Sequence, residues 1–395
     1  MKTIPIRNTH GFSDVLEMRH SMHSTGMNND RIRKSNRAAI LNIIAARGPL
    51  SRKDIAELSG LTPASLTQIT APLIQNGLLL ESGKAASGSA GRNKVLLSLN
   101  YDFCHILCFH IERENTVLSV CNLRGDVLRQ KKYKTTGSRD PEHFLSRMAA
   151  IGLKMTADLP VRGASVSISG LVDRESGVCS HTFGIWDGDV PLRSILEKNL
   201  DLPVTVENNV NAFAKAEIMY GVGREKENLL LIKWGPGVGS AIVVNGEIYE
   251  GRHGRTAEPG HFIVVKNGAL CKCGRRGCLE TVVSYEALQK IRYFQEGELE
   301  QAYLSASKKE KQQFDEAFDL FARTILNAIT ALAPDRIVLY GNLFKSDTAR
   351  EKVLSAIKQY DPHFYDPRII YSSLRDQNTW IGPVAAYAQK LFEEF

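Results

Sequence analysis

The sequence lacks long apolar runs. It has 395 residues, and none of them lies in an uninterrupted apolar stretch of about eighteen, the length that a membrane-spanning helix needs. The first residues also lack the apolar segment of a secretory signal, so we expect a cytoplasmic protein. A chain of this length can form two or three domains with cores of their own.

The cysteine content gives little support to disulfide pairing. The chain has seven cysteines, an odd number. Four of them are scattered among apolar residues, where a reducing compartment would keep them as small buried hydrophobic side chains. The other three lie together between residues 271 and 278, which favours metal binding. The scattered four are Cys104, Cys108, Cys121 and Cys179.

Acidic residues are scarce only in the first quarter of the chain. Residues 1–100 contain 13 Lys and Arg but only 6 Asp and Glu, which accounts for the whole net charge of +7. Positive and negative charges balance over the rest of the chain. Because an excess of positive charge in one segment is typical of a segment that binds a polyanion, we expect nucleic-acid contact there.

Three short helices are predicted within residues 35–80. The first, SNRAAILNIIAAR, has apolar residues at helical spacing and ends at Gly48. The second begins at Ser51, with Asp54 three residues later as in a capping box. The third begins at Thr62, which a proline follows. The last two helices and their short glycine-containing turn form a helix-turn-helix, whose second helix enters the major groove of DNA.

A strand, a basic turn rich in glycine and serine, and a second strand follow over residues 77–100. This pattern predicts a wing, whose cations contact the DNA backbone or minor groove. Gln68 in the third helix can form two hydrogen bonds with adenine. The alternative is a three-helix module unrelated to DNA. The candidate DNA-binding residues are Arg52, Lys53, Ala64, Ser65, Thr67, Gln68, Lys84, Arg92 and Lys94.

From about residue 101 the sequence changes to alternating strands and helices. Two similar three-strand units begin near residues 104 and 229, and helical segments follow each. The repetition indicates a duplicated α/β fold of the actin-like or hexokinase-like (ribonuclease H-like) kind, with two unrelated hairpins as the alternative. Such folds bind a small molecule between their lobes. The predicted divisions are a tail over residues 1–30, a winged helix-turn-helix domain over 31–100 and a two-lobed body over 101–395.

The clustered cysteines form the pattern H-x9-C-x-C-x4-C with His261, Cys271, Cys273 and Cys278. Three thiolates and one imidazole complete a tetrahedral zinc site and leave no position for a reactive water, so we predict one structural Zn²⁺ per chain. A redox pair or a chance cluster is the alternative. The loop over residues 258–280 would also bring carboxylates near that histidine, and sugar hydroxyl groups are natural partners for such a set.

Four segments resemble the ROK family (repressors, open reading frames and kinases): EPGH, CKCGRRGCLE, ENNVNAFAKAE and WGPGVGSAIVVNGEIYEG. The resemblance covers about residues 100–395, and the first two segments together are highly specific. With a winged helix-turn-helix in front, the chain resembles the repressors of the Mlc/NagC type. The family implies an actin-like fold, zinc at the four residues named above, sugar-linked control and homodimers or homotetramers.

The chain departs from the kinases of that family. Kinases have a D-x-G-G-T phosphate loop where this chain has HIERE (residues 110–114), so Glu112 and Arg113 replace glycines and hinder phosphate binding. Asn209 stands where kinases have the aspartate that acts as general base, and an amide cannot accept the proton. Tyr340 stands in a third stretch that is glycine-rich in kinases. These departures predict that the chain is not an enzyme, with a sugar kinase carrying a DNA-binding domain as the alternative.

The sugar-contacting positions of the family are kept. Retained sugar contacts without phosphate contacts predict a sensor that releases its DNA operator on a sugar-linked signal. The resemblance to the Mlc subgroup implies a permease subunit of the sugar phosphotransferase system as the signal, and the wider family implies a sugar ligand; both stay open. The last helix, residues 380–395, either packs on the last domain or couples sensing to DNA release. The candidate sugar-binding residues are Asn208, Asn209, Glu258, His261 and Glu280.

Overall fold

The computed structural model describes residues 29–85, 94–182, 184–225, 228–251, 258–364 and 368–395. The predicted tail over residues 1–30 lies almost wholly outside them, as do Arg92 and the side chain of Lys84. In the described part of the chain, no helix combines the length and the apolar character that crossing a bilayer requires.

The N-terminal part forms a winged helix-turn-helix. Its elements are α1 (Asn29–Arg47), β1 (Leu50–Ser51), α2 (Arg52–Ser59), α3 (Pro63–Gln75), β2 (Leu79–Ala85) and β3 (Lys94–Leu99). The predicted capping box is present at α2, where the Ser51 hydroxyl accepts a hydrogen bond from Asp54 N and the Asp54 carboxylate accepts one from Ser51 N. The Thr62 hydroxyl caps α3 by accepting from Ser65 N. β2 and β3 pair antiparallel, as the strands of a wing do, in a sheet of order β1–β3–β2.

Two five-stranded sheets form the body. The strands of the body are β4 (His105–Ile111), β5 (Asn115–Asn122), β6 (Val127–Lys134), β7 (Val161–Ile168), β8 (Leu171–Asp173), β9 (Val178–His181), β10 (Val204–Asn208), β11 (Leu229–Trp234), β12 (Val238–Val244), β13 (Glu247–Ile248), β14 (Arg336–Tyr340) and β15 (Ile369–Tyr371). The spatial orders are β10–β7–β4–β5–β6 and β13–β12–β11–β14–β15, while β8 and β9 form a separate ribbon. Each large sheet is an antiparallel three-strand unit extended by two parallel strands. The shared topology confirms the predicted duplicated fold.

Helices cover both sheets. They are α4 (Pro141–Thr156), α5 (Leu192–Leu200), α6 (Asn209–Tyr220), α7 (Glu280–Val283), α8 (Tyr285–Ile291), α9 (Leu299–Leu304), α10 (Lys308–Leu332), α11 (Asp347–Tyr360) and α12 (Ile381–Glu394). The longest, α10, presents apolar residues at helical spacing to the second sheet, and its Phe321 ring stacks on Trp234 at 4.5 Å between centroids.

The C-terminal helix α12 joins the winged helix-turn-helix to the first lobe. Tyr387 and Phe392 of α12 lie in one buried cluster with Ile40 of α1 and with Ile106 of β4. The contact with the first sheet is close, because a Cβ built on Gly163 would lie 2.3 Å from the Tyr387 ring. The helix therefore packs on the last domain, as predicted, and its apolar face also covers the DNA-binding domain, which the sequence did not predict.

Candidate functional site

A cavity of about 230 Å³ lies between the two sheets. It is lined by the turn after β4, the start of α6, the glycine turn between β11 and β12, and the cysteine loop, by which we mean residues 258–280. Ends of strands and starts of helices from both lobes therefore face one another across it. All five candidate sugar-binding residues lie on its wall: Asn208, Asn209, Glu258, His261 and Glu280.

The cysteine loop brings its four predicted metal ligands together. One ligand atom from each of His261, Cys271, Cys273 and Cys278 lies within 4.8 Å of the others. The His261 Nδ1 atom is 3.6 Å from Cys271 Sγ, and Cys273 Sγ is 3.6 Å from Cys278 Sγ. Three sulfur atoms and one imidazole nitrogen in such a compact group form a donor set that a metal ion can hold.

The three thiols differ in pKa, because burial raises all three values and hydrogen bonds lower only that of Cys273 on balance. Burial and the neighbouring thiols raise the pKa of Cys278 to about 12, and burial also raises the pKa of Cys271. Burial raises the pKa of Cys273 too, but hydrogen bonds from the Arg275 backbone and side chain outweigh it and lower this pKa to about 6. Because metal-bound cysteines are thiolates, a cation entering this group must displace protons from the other two thiols.

The two nitrogens of His261 face different surroundings. Nδ1 lies on the cysteine side, whereas Nε2 is 3.9 Å from the Glu258 carboxylate. A metal on Nδ1 would thus fix the ring so that Nε2 faces the cavity wall, as histidine ligands commonly are fixed by a second partner. The structure brings together the imidazole and the two carboxylates that the sequence predicted, because Glu280 Oε2 lies 4.0 Å from His261 Nδ1.

The glycine turn between β11 and β12 packs tightly against Glu280. Val238 N donates to Glu280 Oε1 at 2.8 Å. A Cβ built on Gly237 would lie 2.4 Å from the same oxygen, and one built on Gly260 would lie 2.4 Å from Val238 O. The turn and the EPGH segment therefore need glycine because backbone and carboxylate approach one another too closely for any other side chain.

Asn208 is largely occupied by its own neighbours. Its Oδ1 caps α6 by accepting from Val210 N and Asn211 N, at 2.8 and 3.1 Å, and its Nδ2 donates to Gly170 O at 2.8 Å. These contacts use both oxygen lone pairs and one amide hydrogen. At most one N–H of Asn208 can therefore reach a ligand, so its part in sugar binding stays a prediction.

Charged and polar side chains from four elements meet beside the turn after β4. We call this group the strand-end cluster: His110 of β4, Glu112 of the turn, Asn209 at the start of α6 and Lys233 of β11. Glu112 forms an ion pair with Lys233 of the second lobe. Asn209 Nδ2 donates to Glu112 Oε1 at 3.3 Å, and His110 Nε2 is 3.5 Å from the same oxygen. His110 is held from its other side by Ser167 Oγ, 2.8 Å from Nδ1.

The strand-end cluster keeps Glu112 ionised. Burial raises the pKa of Glu112, but the charge of Lys233 and the hydrogen bond with His110 outweigh it, so the net pKa lies well below the ordinary value of 4.5. Lys233 is the functional residue that the sequence argument missed. Its signal was a single cation at the end of an otherwise apolar strand, LLLIKW, where a buried charge needs a partner.

A second ion pair links the lobes beside the first. Arg113 pairs with Glu286 of α8, and Lys272 of the cysteine loop is 3.4 Å from the same carboxylate. Neighbouring residues of opposite charge, Glu112 and Arg113, thus each pair with the second lobe. Tyr340, from the stretch that is glycine-rich in kinases, is buried, and its ring stacks on Phe213 at 4.0 Å between centroids.

On the winged helix-turn-helix, α3 exposes Ala64, Thr67 and Gln68 while Leu66, Thr70 and Leu73 are buried. The Thr67 hydroxyl donates to Pro63 O at 3.0 Å, and the Ser65 hydroxyl lies 2.9 Å from Thr62 Oγ1. The hydroxyl groups of Ser65 and Thr67 thus bond within their own helix, whereas Gln68 is exposed and longer than either.

The predicted phosphate-binding cations have acidic neighbours in this structure. Arg52 pairs with Glu81 of the wing at 3.3 Å, Lys53 with Glu57 at 3.8 Å, and Lys94 with Asp54 at 3.8 Å. These pairs are exposed, so they are weak and can exchange for DNA phosphates at little cost. The positions of all three agree with a role in DNA binding, which stays a prediction.

Comparisons with known proteins agree with this geometry. The ROK family model matches residues 106–390, and the winged helix-turn-helix DNA-binding model matches residues 34–79. The DNA-binding transcriptional dual regulator NagC of Escherichia coli (strain K12) is 29% identical over 339 residues, which are 81% of this chain and 83% of that protein.

The chain is also similar to solved structures of a regulator and of a kinase. A ROK family transcriptional regulator, a homologue of the E. coli Mlc protein, is 25% identical and covers 92% of this chain and 98% of its own, with a TM-score of 0.78. The ROK hexokinase from Thermus thermophilus is 22% identical and covers 73% of this chain and 99% of its own, with a TM-score of 0.59. The predicted resemblance to Mlc/NagC-type proteins and the predicted fold, a winged helix-turn-helix followed by an actin-like body, are confirmed.

Proposed function

The chain belongs to the ROK family, and we propose that it is a cytoplasmic, DNA-binding transcriptional repressor of genes for sugar uptake or metabolism. The observation that carries the proposal is the joining of a winged helix-turn-helix to a ROK body whose phosphate-loop position is filled by the ion pair of Glu112 and Lys233. Relatives that align with most of the chain are named as transcriptional regulators.

The DNA-binding part comprises residues 31–100 in this proposal. Gln68 and its neighbours on α3 read bases, and the cations of α2 and of the wing contact phosphates. Two copies of the domain in a homodimer or homotetramer read a pseudo-palindromic operator, since half-site symmetry follows protein symmetry. The joint core of α1, α12 and the first lobe supports a direct mechanical link from the body over residues 101–395 to the DNA-binding domain.

In this proposal the chain does not transfer phosphate. Asn209 cannot serve as the general base, because an amide does not accept a proton at neutral pH, and its Nδ2 already donates to Glu112. Glu112 places a negative charge where a kinase binds phosphate oxygens. A ROK sugar kinase with an added DNA-binding domain is the alternative function, and the family's hexokinase fold is what favours it.

The metal in this proposal is one Zn²⁺ per chain, bound by His261, Cys271, Cys273 and Cys278. A set of three thiolates and one imidazole is typical of closed structural zinc sites. The ion would supply no reactive water there. Its part is to fix the cysteine loop and to hold His261, Glu258 and Glu280 in one orientation on the cavity wall.

We propose a sugar bound in the cleft as the effector. The cavity offers carboxylates, an imidazole and amides from both lobes, which suits a polyhydroxyl ligand. A ligand that contacts both lobes changes their relative position, and α12 carries that change to α1. A permease subunit of the sugar phosphotransferase system is the alternative effector, and it would bind an outer surface and not the cleft.

Selection of DNA from a random pool by the purified, zinc-loaded protein tests the proposal. We expect a pseudo-palindrome with half-sites about one helical turn, or a multiple of it, apart. Its affinity should exceed that of unrelated DNA by at least about a thousandfold at physiological salt. Enrichment of no sequence, or ATP-dependent phosphorylation of glucose or N-acetylglucosamine by the same preparation, would contradict it. If a purified permease subunit released the DNA and no sugar did, the effector would be that protein partner and not a sugar.

A further inference from the structure

The cations on the described wall of the cavity are already paired with carboxylates of the same wall. Lys233 pairs with Glu112. Arg113 and Lys272 both pair with Glu286. A phosphate group bound in a protein normally needs at least one cation that can turn towards it. A phosphate entering this cavity would have to take a cation away from an existing partner.

Acidic side chains outnumber basic ones on that wall. Six carboxylates face three cations, which leaves three negative charges in excess when His261 is counted as neutral. A phosphate ester brings about two more negative charges at neutral pH, whereas a sugar brings none. The carboxylates are Glu112, Glu114, Glu258, Glu280, Glu286 and Glu296.

Three backbone amides that could hold a phosphate are also engaged. The start of α6 points into the cavity, but Asn208 Oδ1 accepts from Val210 N and Asn211 N there. In the glycine turn, Val238 N donates to the Glu280 carboxylate at 2.8 Å. Helix starts and glycine turns bind anions through such amides. Here side chains of the protein itself already occupy them.

Glu112 holds a central position in this arrangement. It accepts from Asn209 Nδ2 at 3.3 Å, and both residues line the cavity. A hydroxyl group of a ligand that bonds to the Asn209 amide would therefore lie beside the Glu112 carboxylate and could donate to it. The phosphate ester of the same hydroxyl would place its oxygens against that carboxylate with no proton between them.

We infer that the cleft accepts an uncharged sugar and excludes its phosphate ester, and that Glu112 is the residue that sets this selectivity. The inference deepens the proposed function and rests on it, because sugar-responsive control is what gives the cleft a ligand. A sugar hydroxyl donates to carboxylates and accepts from amides, so it meets the cavity wall without loss of a hydrogen bond. A phosphate dianion meets repulsion there, and each cation on the described part of the wall already has a carboxylate partner.

Isothermal titration of the zinc-loaded, full-length protein tests the inference. The probes are glucose, N-acetylglucosamine and their 6-phosphates, with xylose as a third neutral sugar, in buffer free of phosphate. We expect at least one neutral sugar to bind, and neither 6-phosphate to bind within tenfold of its parent sugar. Equal or tighter binding of a 6-phosphate would overturn the inference, and so would the absence of binding by every neutral sugar.

The variant Glu112→Gln identifies the residue responsible. It removes one negative charge and frees Lys233 for a ligand phosphate, so we expect the affinity for a 6-phosphate to rise at least tenfold relative to the affinity for the neutral sugar. Glu142→Gln makes the same change of charge on an exposed helix start outside the cavity and should alter neither affinity. A Glu112→Gln variant with unchanged selectivity would refute the role of this residue.

DNA binding measured on the same preparations separates this inference from the proposed function. Neutral-sugar binding in a protein that selects no operator would leave the cleft assignment standing and would remove the repressor role. Operator binding in a protein that prefers a sugar phosphate would leave the repressor role standing and would remove the cleft assignment. A folded Glu112→Gln variant is verified by circular dichroism and by its metal content before it is titrated.

Discussion

The cysteine loop and the strand-end cluster lie on opposite sides of one cleft, and they keep different parts of a sugar kinase's chemistry. The cysteine loop retains the imidazole and carboxylates that suit sugar hydroxyl groups, close to a set of four metal ligands. The strand-end cluster has exchanged glycines and a general base for an ion pair between the lobes. We therefore expect one side to bind a ligand and the other side not to activate a phosphate.

The difference between the two sides arises from side chains alone. Both sheets have the same topology, and the glycine turn between β11 and β12 packs closely against the Glu280 carboxylate. A few residues at the ends of strands are enough to change what such a fold does, because function depends on the site and not on the fold.

The largest expected effect comes from breaking the cysteine loop. Cys273→Ala removes one of four ligands, and structural zinc contributes about 10 kcal/mol or more of apparent binding free energy. We expect the zinc content measured by atomic emission to fall from about one ion per chain to near zero. Amide hydrogens of residues 258–280 should then exchange faster, and sugar binding should be lost.

Cys121→Ala is the matched control, because Cys121 is a buried cysteine of β5 far from the loop in sequence. It should keep the metal and the slow exchange of the loop. A Cys273→Ala protein without metal whose loop is protected as in the unaltered chain would show that the metal has no structural part.

A smaller effect is expected from breaking the strand-end cluster. Lys233→Met keeps the apolar stem but leaves Glu112, whose side chain is 31% exposed, without its cation. Removing one partner of a partly buried pair should lower the free energy of unfolding in urea by about 2 kcal/mol. Adding Glu112→Gln should recover at least half of the loss, since no unpaired carboxylate is then left. Losses that simply add would contradict the pairing.

The same pair gives a pH dependence with a defined sign. The pKa of Glu112 lies well below its ordinary value of 4.5 in the folded chain, so its ionised form stabilises the fold above that pH. This contribution declines as pH falls below about 4.5 and through the folded pKa. The difference in unfolding free energy between the unaltered chain and Glu112→Gln should therefore stay constant from pH 7 to about pH 5 and shrink as the pH falls below about 4.5. A difference that grows on acidification would show the opposite shift.

A substitution on α3 tests whether the DNA-binding domain recognises bases of an operator. Gln68→Ala on the exposed face of α3 should weaken binding to a selected operator by about 1–3 kcal/mol, if it reads one base pair with two hydrogen bonds. Binding to unrelated DNA should not change. Gln75→Ala, on an exposed residue at the end of the same helix, is the control and should have little effect. Equal losses on operator and unrelated DNA would show that Gln68 reads no base.

The smallest effect is expected from restoring a carboxylate at the kinase base position. Asn209→Asp alone should give no detectable phosphorylation of glucose with ATP, because Glu112 and Lys233 still occupy the phosphate position. Product formation above that of a heat-treated sample, followed by coupled release of ADP, would show that the two sides of the cleft differ less than their residues suggest.

Periodic and capping patterns were sufficient to predict the winged helix-turn-helix. Ser51 and Thr62 cap α2 and α3 as their spacing required, because capping is a local interaction. The grouping of the four candidate metal ligands was also predictable, because cysteines and histidine at close spacing have few other uses. The duplicated sheets followed from repeated strand units, since the same pattern of strands tends to pair in the same order.

Contacts between distant segments were not predictable. Lys233 meets Glu112 from a strand more than a hundred residues away, and nothing local to either residue specifies that meeting. The apolar face of α12 was visible in the sequence, but its contact with α1 was not, because an apolar stripe indicates that a helix is covered and not what covers it. The stacking of Tyr340 on Phe213 also joins distant segments.

The most direct test of the account is the affinity of the zinc-loaded protein for its selected operator, measured by fluorescence anisotropy at fixed salt as a neutral sugar is added. We predict that a sugar which binds the cleft weakens operator binding about tenfold or more, equivalent to 1.4 kcal/mol. The 6-phosphate of that sugar should leave the operator affinity unchanged. An operator affinity that stays constant while the sugar saturates the cleft would contradict the claim that this cleft senses for the DNA-binding domain.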